Sequence, residues 1–253
     1  MMHPHFLHRR FSYSRCFALA IGLTWAQQGA TQEPLRLMFE NRAPYAYKNK
    51  QGKLDGLIVQ SLEPALKKAG IDFVWIETPF KRQLSIVEQD QDTSCATGVF
   101  MTKERQRYAK FSGAILHDQE RPSIILAHQD FKIPPGLNLL QVLSLSKARL
   151  LKKEHASYGP HIDDAIEKSG IQIVSTTAES RNMAKMLVAK RGDFIFVSEE
   201  EARTLIKENA DGAHLQIYTP SGMPQSQDRY LMCTNKTADQ TLQRLNRALS
   251  PNL

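Results

Sequence analysis

The chain has 253 residues, of which 42% are hydrophobic and 23% are charged, and its formal net charge is +7. This length suffices for one large domain or two smaller lobes, and the composition is ordinary for a globular protein. The basic residues form no dense block with interleaved aromatic residues. We therefore expect no nucleic-acid partner.

The first 26 residues have the pattern of a secretory signal peptide. Three arginines precede an apolar run at residues 16–26, which is too short to span a bilayer. Small side chains at Thr24 and Ala26 predict cleavage after Ala26, with Ala30 as a second candidate. The remaining chain has 30 basic and 26 acidic side chains, a charge of +4. We expect an exported, periplasmic protein; the alternative is a buried N-terminal helix.

Strand and helix signals alternate after this segment. Residues 34–39 alternate polar and apolar as a strand does, and residues 57–69 carry apolar residues at helical spacing. A second strand at residues 72–76 precedes a helix at about residues 79–89, in which Pro suits the first position. A third strand follows at residues 95–101. This order predicts an α/β layer with a largely parallel sheet.

A helix-start signal at Thr102 follows the third strand and predicts that Arg105 lies in a first helical turn. Gly98 leaves the nearby backbone uncrowded. A guanidinium in this place can bind a carboxylate through two parallel hydrogen bonds, and free N–H groups at a helix start favour an anion. The alternative is that Arg105 is one more solvated surface charge.

The second half of the chain repeats the alternation and adds a terminal strand and helix. The predicted strands are residues 122–127, 148–151, 171–174, 194–197 and 229–234. The predicted helices are residues 139–146, 162–169, a segment ending near Lys190, 199–208 and 239–249. Two α/β units are therefore predicted.

Two cysteines remain after removal of the leader, because Cys16 lies within it. Cys95 and Cys233 both lie in short apolar segments that look like strands. In an oxidising compartment they can pair if those strands are neighbours. The spacing alone leaves both a disulfide and two buried free thiols open.

Several short motifs occur in a constant order over nearly the whole mature chain. They are residues 43–45 (APY), 52–56 (GKLDG), 102–105 (TKER), 111–112 (FS), 157–159 (SYG), 192–193 (GD), 230–234 and 245–249. This series resembles the family 3 periplasmic solute-binding proteins, typified by the binding proteins for polar amino acids, and looks like a divergent branch of them.

The resemblance implies a two-lobed periplasmic-binding-protein fold of type II. Each lobe would be a mostly parallel sheet flanked by helices, and two strands would form the hinge near His117 and Ser221. Lobe 1 would comprise residues 27–116 together with 222–253, and lobe 2 residues 117–221. Cys95 and Cys233 would then share a lobe, which implies a disulfide between them.

The resemblance also implies that a small solute is bound in the cleft between the lobes. Arg105 matches the arginine that binds the ligand's α-carboxylate, and Thr97 and Gly98 match positions that contact the same group. Ser157 and Tyr158 lie near the lobe 2 turn whose N–H groups face the ligand.

A neighbouring loop supplies an aromatic wall in such proteins. Tyr45 and Arg42 lie on this loop, although Tyr45 is equally consistent with ordinary packing.

Three positions depart from the amino-acid-binding pattern or add to it. Ser198 stands where an acidic residue usually pairs with the ligand's ammonium group; Glu199 follows it, and is either that partner or a solvated first helical turn. Phe100 replaces a small hydroxyl residue. Arg82 begins a helix near the cleft and is a candidate for a second anionic group.

These features predict a monomeric protein, not an enzyme, that captures a carboxylate-bearing solute such as an amino acid and delivers it to a membrane permease. One alternative is a sensing module for a membrane signalling protein. Another is a dehydratase-like enzyme, for which Glu40, His155 and Glu199 are the nominal acids or bases. No metal or cofactor motif occurs, and we expect neither.

Overall fold

The computed structural model describes residues 1–2, 33–118 and 122–250. The described residues from 33 to 118 and from 122 to 250 belong to one compact unit. Apart from Met1 and Met2, the predicted signal peptide, its cleavage sites and Cys16 lie outside the described residues. None of the helices in the described part is long and apolar enough to cross a membrane.

The first sheet contains the first and the last strand of the described chain. Its strands are β1 (Leu35–Phe39), β4 (Phe73–Glu77), β5 (Ser94–Val99), β6 (Lys110–Leu116) and β12 (Arg229–Cys233). Their order is β4-β1-β5-β12-β6. A small antiparallel hairpin, β2 (Tyr47–Lys48) and β3 (Leu54–Asp55), precedes the first helix.

Helices cover both faces of this sheet. Apolar side chains of α1 (Leu57–Lys68) and α7 (Asp239–Leu249) share one core with the strands, which includes Leu37 and Leu231. The opposite core is formed with α2 (Phe80–Glu88) and includes Met38. Alternating side chains of one strand therefore supply two different cores, as the pleat of a strand requires.

The second sheet is built from the middle of the chain. Its strands are β7 (Ser123–His128), β8 (Arg149–Lys153), β9 (Gln172–Thr176), β10 (Phe194–Ser198) and β11 (Leu215–Tyr218), in the order β11-β7-β10-β8-β9. One face packs against α3 (Leu139–Leu143) and α4 (Pro160–Ser169). The other packs against α5 (Ser180–Val188) and α6 (Glu199–Glu208).

Local signals explain where these helices begin and end. Asn138 and Gln141 form a reciprocal capping box at α3, which satisfies two otherwise free backbone N–H groups. Pro160 occupies the first turn of α4, and Gly170 ends that helix in a left-handed conformation. The side chain of Ser198 caps α6, accepting a hydrogen bond from the backbone N–H of Glu201.

The predicted two-lobed α/β fold class is confirmed, and each sheet is mostly parallel, with four of its five strands running in one direction. In the first sheet β1 pairs in parallel with β4 and β5, whereas β12 runs antiparallel to β5 and β6. In the second, β7 runs antiparallel to β10 and β11, and β8 is parallel to β9 and β10. The reversed strands are β7 and β12. Each is the first strand that the chain forms after it crosses from one sheet to the other.

The predicted lobe boundaries and hinge positions stay predictions. Near the return crossing, Ser221 and Gln225 still make isolated bridges to Asn138 and Pro122. The chain enters the first sheet again at Arg229.

The helix predicted after Thr102 is wrong. Only a 3₁₀ turn, Arg105–Arg107, is present, and the chain is extended again from Lys110 in β6. The chain must become extended at Lys110 so that β6 can pair with β12. Only a single turn therefore fits between β5 and β6. The helix-start signal identified the turn but gave no information on the strand pairing that ends it.

The implied disulfide is present. Cys95 on β5 and Cys233 on β12 lie directly opposite each other, with 4.0 Å between their Cα atoms, and they are bonded. Both are fully buried. The bond joins two strands that are 138 residues apart in the chain.

Loss of this bond should destabilise the protein, because the cross-link restricts the unfolded chain. We expect Cys95→Ala/Cys233→Ala to lower the free energy of unfolding by about 2–5 kcal/mol, measured by urea denaturation. Reductant should lower the urea midpoint of the wild-type protein and leave that of the double variant unchanged. A wild-type midpoint that does not respond to reductant would contradict the disulfide.

Candidate functional site

A cavity of about 90 Å³ lies between the two sheets. Its first-sheet wall includes Arg42, Phe80, Gly98, Phe100 and Arg105. Its second-sheet wall includes Lys153, Ser157, Tyr158, Ile162 and Ser198. A smaller cavity adjoins it and is lined by several of the same residues together with Tyr45 and Thr97. The candidate site is therefore assembled from both sheets.

Arg105 is 5% exposed and is held by backbone oxygens from both walls. Its Nη1 donates to the carbonyl of Phe100 at 2.9 Å, and its Nη2 donates to the carbonyl of His155 at 3.0 Å. Burial lowers the pKa of the guanidinium from its ordinary value, but an arginine remains charged at any working pH. No ion pair of Arg105 with a carboxylate occurs within the described residues, so its charge and its other N–H groups are available to an anion.

Arg42 and Glu201 join the walls through a two-pronged ion pair. The Nε and Nη2 atoms of Arg42 each donate to one oxygen of Glu201 at 2.6 Å. Glu201 is 0% exposed. Burial alone would raise the pKa of its carboxyl, but the charge and hydrogen bonds of Arg42 and a hydrogen bond from Ser180 outweigh it and hold that pKa below the ordinary value.

Tyr45 is buried between the arginine side chains of Arg42 and Arg229. Its ring centre lies 5.0 Å from the guanidinium carbon of Arg42 and 3.9 Å from that of Arg229. Both distances are within the range of cation–π interactions. Its hydroxyl donates to the Oγ of Ser198 at 2.8 Å. Tyr45 therefore connects the walls of the cleft at the smaller cavity.

Arg229 and Asp118 form a second buried ion pair at the base of the cleft. The Nε of Arg229 donates to Asp118 at 2.9 Å, and its Nη1 donates to the carbonyl of Gly98 at 3.2 Å. Ser226 also donates to the same carboxylate at 3.2 Å. The charges of both residues are thus offset within the protein.

Lys153 and Glu40 form a third ion pair across the cleft, with little exposure on either side. Burial lowers the pKa of the Lys153 ammonium from its ordinary value, while Glu40 opposes this shift. A more exposed pair, Lys81 and Glu154 at 2.9 Å, lies nearby and also connects the two halves.

Gly98 occupies a backbone conformation that requires glycine. Its φ is +72°, and a Cβ atom there would lie 2.3 Å from the Cδ1 atom of Ile58. The adjacent Thr97 donates from its hydroxyl to the carbonyl of Met38 at 2.9 Å. The carbonyl of Gly98 and the hydroxyl of Thr97 therefore already have partners inside the protein.

The turn before α4 uses its polar groups internally. Asp163 accepts hydrogen bonds from the hydroxyl of Ser157 and from the N–H of Tyr158, the latter at 3.0 Å. The N–H of Gly159 donates to the hydroxyl of Ser157 at 3.1 Å. Tyr158 packs its ring against Phe196, with the ring centres 5.4 Å apart. Ser157 and Tyr158 therefore line the cavity, while the hydroxyl of Ser157 and the N–H of Tyr158 donate to Asp163.

The structure brings most of the predicted site residues to the cleft and leaves two outside it. Arg82 is exposed and lines neither cavity. Glu199 bonds to Arg203 on the surface of α6 and also lines neither cavity. Whether any of the predicted residues contacts a ligand stays a prediction.

Sequence reasoning missed four charged residues of the cleft. They are Asp118, Lys153, Glu201 and Arg229. The spacing of Ser198 and Glu201 indicates a helix cap and its N3 residue, but it does not predict that the Glu201 carboxylate pairs with Arg42. The other three have ion-pair partners far away in the chain, in no shared motif or repeat. Asp118 and Arg229 are 111 residues apart, and Lys153 and Glu40 are 113 residues apart.

Within the described residues no group of three or more His, Cys, Asp or Glu side chains is placed to hold a metal ion. The charged groups of the cleft instead form pairs of opposite sign.

The sequence profile of the bacterial extracellular solute-binding proteins, family 3, matches residues 35–251. None of the functionally curated protein sequences matches the chain. Solved structures are similar in fold at low sequence identity.

An ancestral arginine-binding protein bound to arginine has a TM-score of 0.67 and 18% identity, covering 86% of this chain and 91% of its own. The arginine-, lysine-, histidine-binding protein ArtJ of Geobacillus stearothermophilus has a TM-score of 0.67 and 18% identity, covering 86% of this chain and 88% of its own. A histidine kinase sensor domain with similarity to periplasmic binding proteins has a TM-score of 0.66 and 17% identity, covering 86% and 89%.

The ion pair of Arg42 with Glu201 should make stability depend on pH in the acid range. Because the folded-state pKa of Glu201 lies below its ordinary value of 4.5, its contribution is fully present above that pH and is lost as the pH falls through the lower folded-state value. Glu201→Gln should lower the free energy of unfolding by roughly 1.5–3 kcal/mol at pH 7 and by much less at pH 3.

Urea denaturation of the wild-type and variant proteins between pH 7 and pH 3 measures this effect. Glu199→Gln is the matched control, because Glu199 lies in the same helical turn and its pair with Arg203 is on the surface. A Glu201→Gln protein whose deficit is the same at both pH values would contradict the assignment.

Proposed function

Because the chain belongs to the bacterial extracellular solute-binding proteins of family 3, we propose that it captures a small carboxylate-bearing solute between its lobes and delivers it to a membrane transporter. The solute would enter the cleft when the lobes separate and would be enclosed when they close. The proposed protein is monomeric, periplasmic and not catalytic, and it uses no cofactor.

The observation that carries this proposal is the environment of Arg105. Its guanidinium faces the cavity with carbonyl oxygens as partners, at 2.9 Å and 3.0 Å, and it has no carboxylate partner among the described residues. A buried charge without a counter-ion is unfavourable, and a bound carboxylate would supply that counter-ion through two charge-assisted hydrogen bonds. Arg105 is therefore the proposed anchor of the solute.

The contacts across the cleft support closure around the solute. Arg42 is bonded to Glu201 and the hydroxyl of Tyr45 to Ser198, so the loop between β1 and β2 is joined to α6 and to the end of β10. Arg105 itself donates to the carbonyl of His155 on the opposite wall. A solute bound at Arg105 would thus lie among groups that already connect the lobes.

A sensing role is the second candidate, and the similarity to a histidine kinase sensor domain favours it. The same closure would then signal to a membrane protein instead of releasing the solute to a transporter. Co-purification of the exported protein with either a permease or a sensor kinase from membranes would separate the two roles.

The enzymatic alternative has little support in the cleft. Of its nominal acids and bases, Glu40 is paired with Lys153, and Glu199 is paired with Arg203 on the surface. His155 contributes its carbonyl group to Arg105. We therefore propose binding without turnover.

Loss of Arg105 should abolish solute binding. In the wild-type protein a solute present at 100 times its Kd stabilises the folded state by about 2.7 kcal/mol, which raises Tm by several degrees. Arg105→Ala should weaken binding by roughly 30-fold or more, since it removes one partner of a buried charge pair. Thermal unfolding in a library of amino acids and other carboxylates measures the effect.

Two variants make this experiment specific. Arg107→Ala is the matched control, because Arg107 lies in the same 3₁₀ turn with an exposed side chain. Arg105→Lys keeps the charge and should restore part of the Tm shift. An Arg105→Ala protein that shows the wild-type shift would contradict the proposed anchor.

Export should remove the first 26 residues. Expression of the full chain in a bacterium, followed by osmotic-shock fractionation and intact-mass measurement, should give a periplasmic protein that begins at Gln27 and contains one disulfide. Ala26→Leu should slow this processing because the peptidase requires a small residue there. A cytoplasmic product of full length would contradict the prediction.

A further inference from the structure

We propose that the cleft selects a small monoanionic solute with an apolar body and no ammonium group. The inference rests on the proposed function, because it names the class of solute that Arg105 would anchor. It departs from an amino-acid ligand, which carries an ammonium group beside its carboxylate. Three features of the cleft carry it: the balance of its charges, the engagement of its acids and the chemistry of its walls.

Among the described residues, the charged side chains that face the cleft form ion pairs, with the exception of one positively charged side chain. Arg42 is paired with Glu201, Lys153 with Glu40, and Arg229 with Asp118. The unpaired cation among the described lining residues is Arg105. One negative charge on the solute therefore completes the balance, whereas a second would be buried without a partner.

Two acids near Arg105 do not change this balance inside the cavity. Glu104 is exposed to solvent, and neither it nor Asp163 lines the cavity. Asp163 accepts hydrogen bonds from the hydroxyl of Ser157 and the N–H of Tyr158, which direct its carboxylate into the turn. The guanidinium thus remains the charge that a solute in the cavity meets.

Among the described residues that line the cavity, no carboxylate is free to pair with an ammonium group, because Glu40 pairs with Lys153. Glu201 on α6 is buried, and both of its oxygens accept from Arg42 at 2.6 Å. Asp118 is also buried, and its carboxylate pairs with Arg229. Ser198 is engaged as well, since its Oγ accepts from the hydroxyl of Tyr45 and from the N–H of Glu201. A buried ammonium without an acceptor or counter-ion is strongly unfavourable, so the cleft discriminates against amino acids.

The rest of the cavity wall is largely apolar and suits a hydrocarbon body. Apolar side chains contribute from both sheets; they are Phe80, Val99, Phe100, Ile162, Met183 and Phe196. The closed cavity of about 90 Å³ is smaller than the roughly 150 Å³ cavity that holds one benzene molecule. Short or branched aliphatic carboxylates therefore fit better than long ones.

Matched pairs of solutes test the proposal, each pair differing by one ammonium group. The pairs are propanoate with L-alanine, 3-methylbutanoate with L-valine, and 4-methylpentanoate with L-leucine. Isothermal titration calorimetry of the full mature protein should show that at least one of the three acids binds, and that it binds about tenfold or more tightly than its amino acid. L-arginine and succinate should bind more weakly than that acid.

A variant that frees Glu201 should reverse the preference. In Arg42→Ala the carboxylate of Glu201 loses its partner and becomes available to an ammonium group, so the amino acid should gain affinity over the deaminated acid. Arg203→Ala is the control, since that arginine is exposed on the same helix as Glu201 and pairs with Glu199. Circular dichroism confirms that each variant is folded.

A double variant keeps the test decisive if Arg42→Ala does not fold. Arg42→Ala/Glu201→Gln removes both charges together, so it should retain the preference for the deaminated acid. Equal or tighter binding of an amino acid by the wild-type protein would overturn the proposal. So would binding of none of the three acids.

The failure of this inference and the failure of the proposed function are distinguishable. If an amino acid, a dicarboxylate or another solute raises Tm through Arg105 while the three acids do not, the binding function stands and the monoanion assignment falls. If no solute in the library raises Tm, both fall.

Discussion

Arg105 brings a full positive charge into the cleft and holds it there with backbone oxygens. One carbonyl comes from Phe100 on its own side and the other from His155 on the opposite side. Carbonyl dipoles orient a guanidinium but do not neutralise it, so the closed cleft retains an uncompensated charge. The arrangement of the surrounding side chains follows from this constraint, since every other buried charge near it must have its own partner.

The paired charges have a second consequence, because they connect the two halves of the protein. Arg42 with Glu201 and Lys153 with Glu40 join the loop that follows β1 to α6 and to β8, respectively. Removing one partner of a pair would leave the other charge buried and unpaired, which is strongly unfavourable. Separating the two halves would likewise break each pair, so the intact pairs stabilise the closed arrangement. Three residues that line the cavity, Arg42, Lys153 and Glu40, thus also connect the two halves of the protein.

The sequence predicted the residue types of the site better than their environments. The motif at Thr102 led to Arg105, but the predicted helix is a single 3₁₀ turn because β6 must begin at Lys110. Glu199 was the candidate acid beside Ser198, and the buried acid is instead Glu201, two residues later on the inward face of α6. A first turn with three glutamates does not reveal which one points inward until the helix is packed against its sheet.

Local patterns in the sequence by themselves determined the alternation of strands and helices, the cap at Ser198 and the apolar positions of the core, because these depend on residues a few positions apart. The order of strands in each sheet and the antiparallel return of β12 depend on pairing between distant segments. The balance of charge in the cleft is likewise a tertiary property. Arg42 and Glu201 are 159 residues apart, and only the packing of two sheets brings them within bonding distance and leaves Arg105 without a carboxylate partner among the described residues.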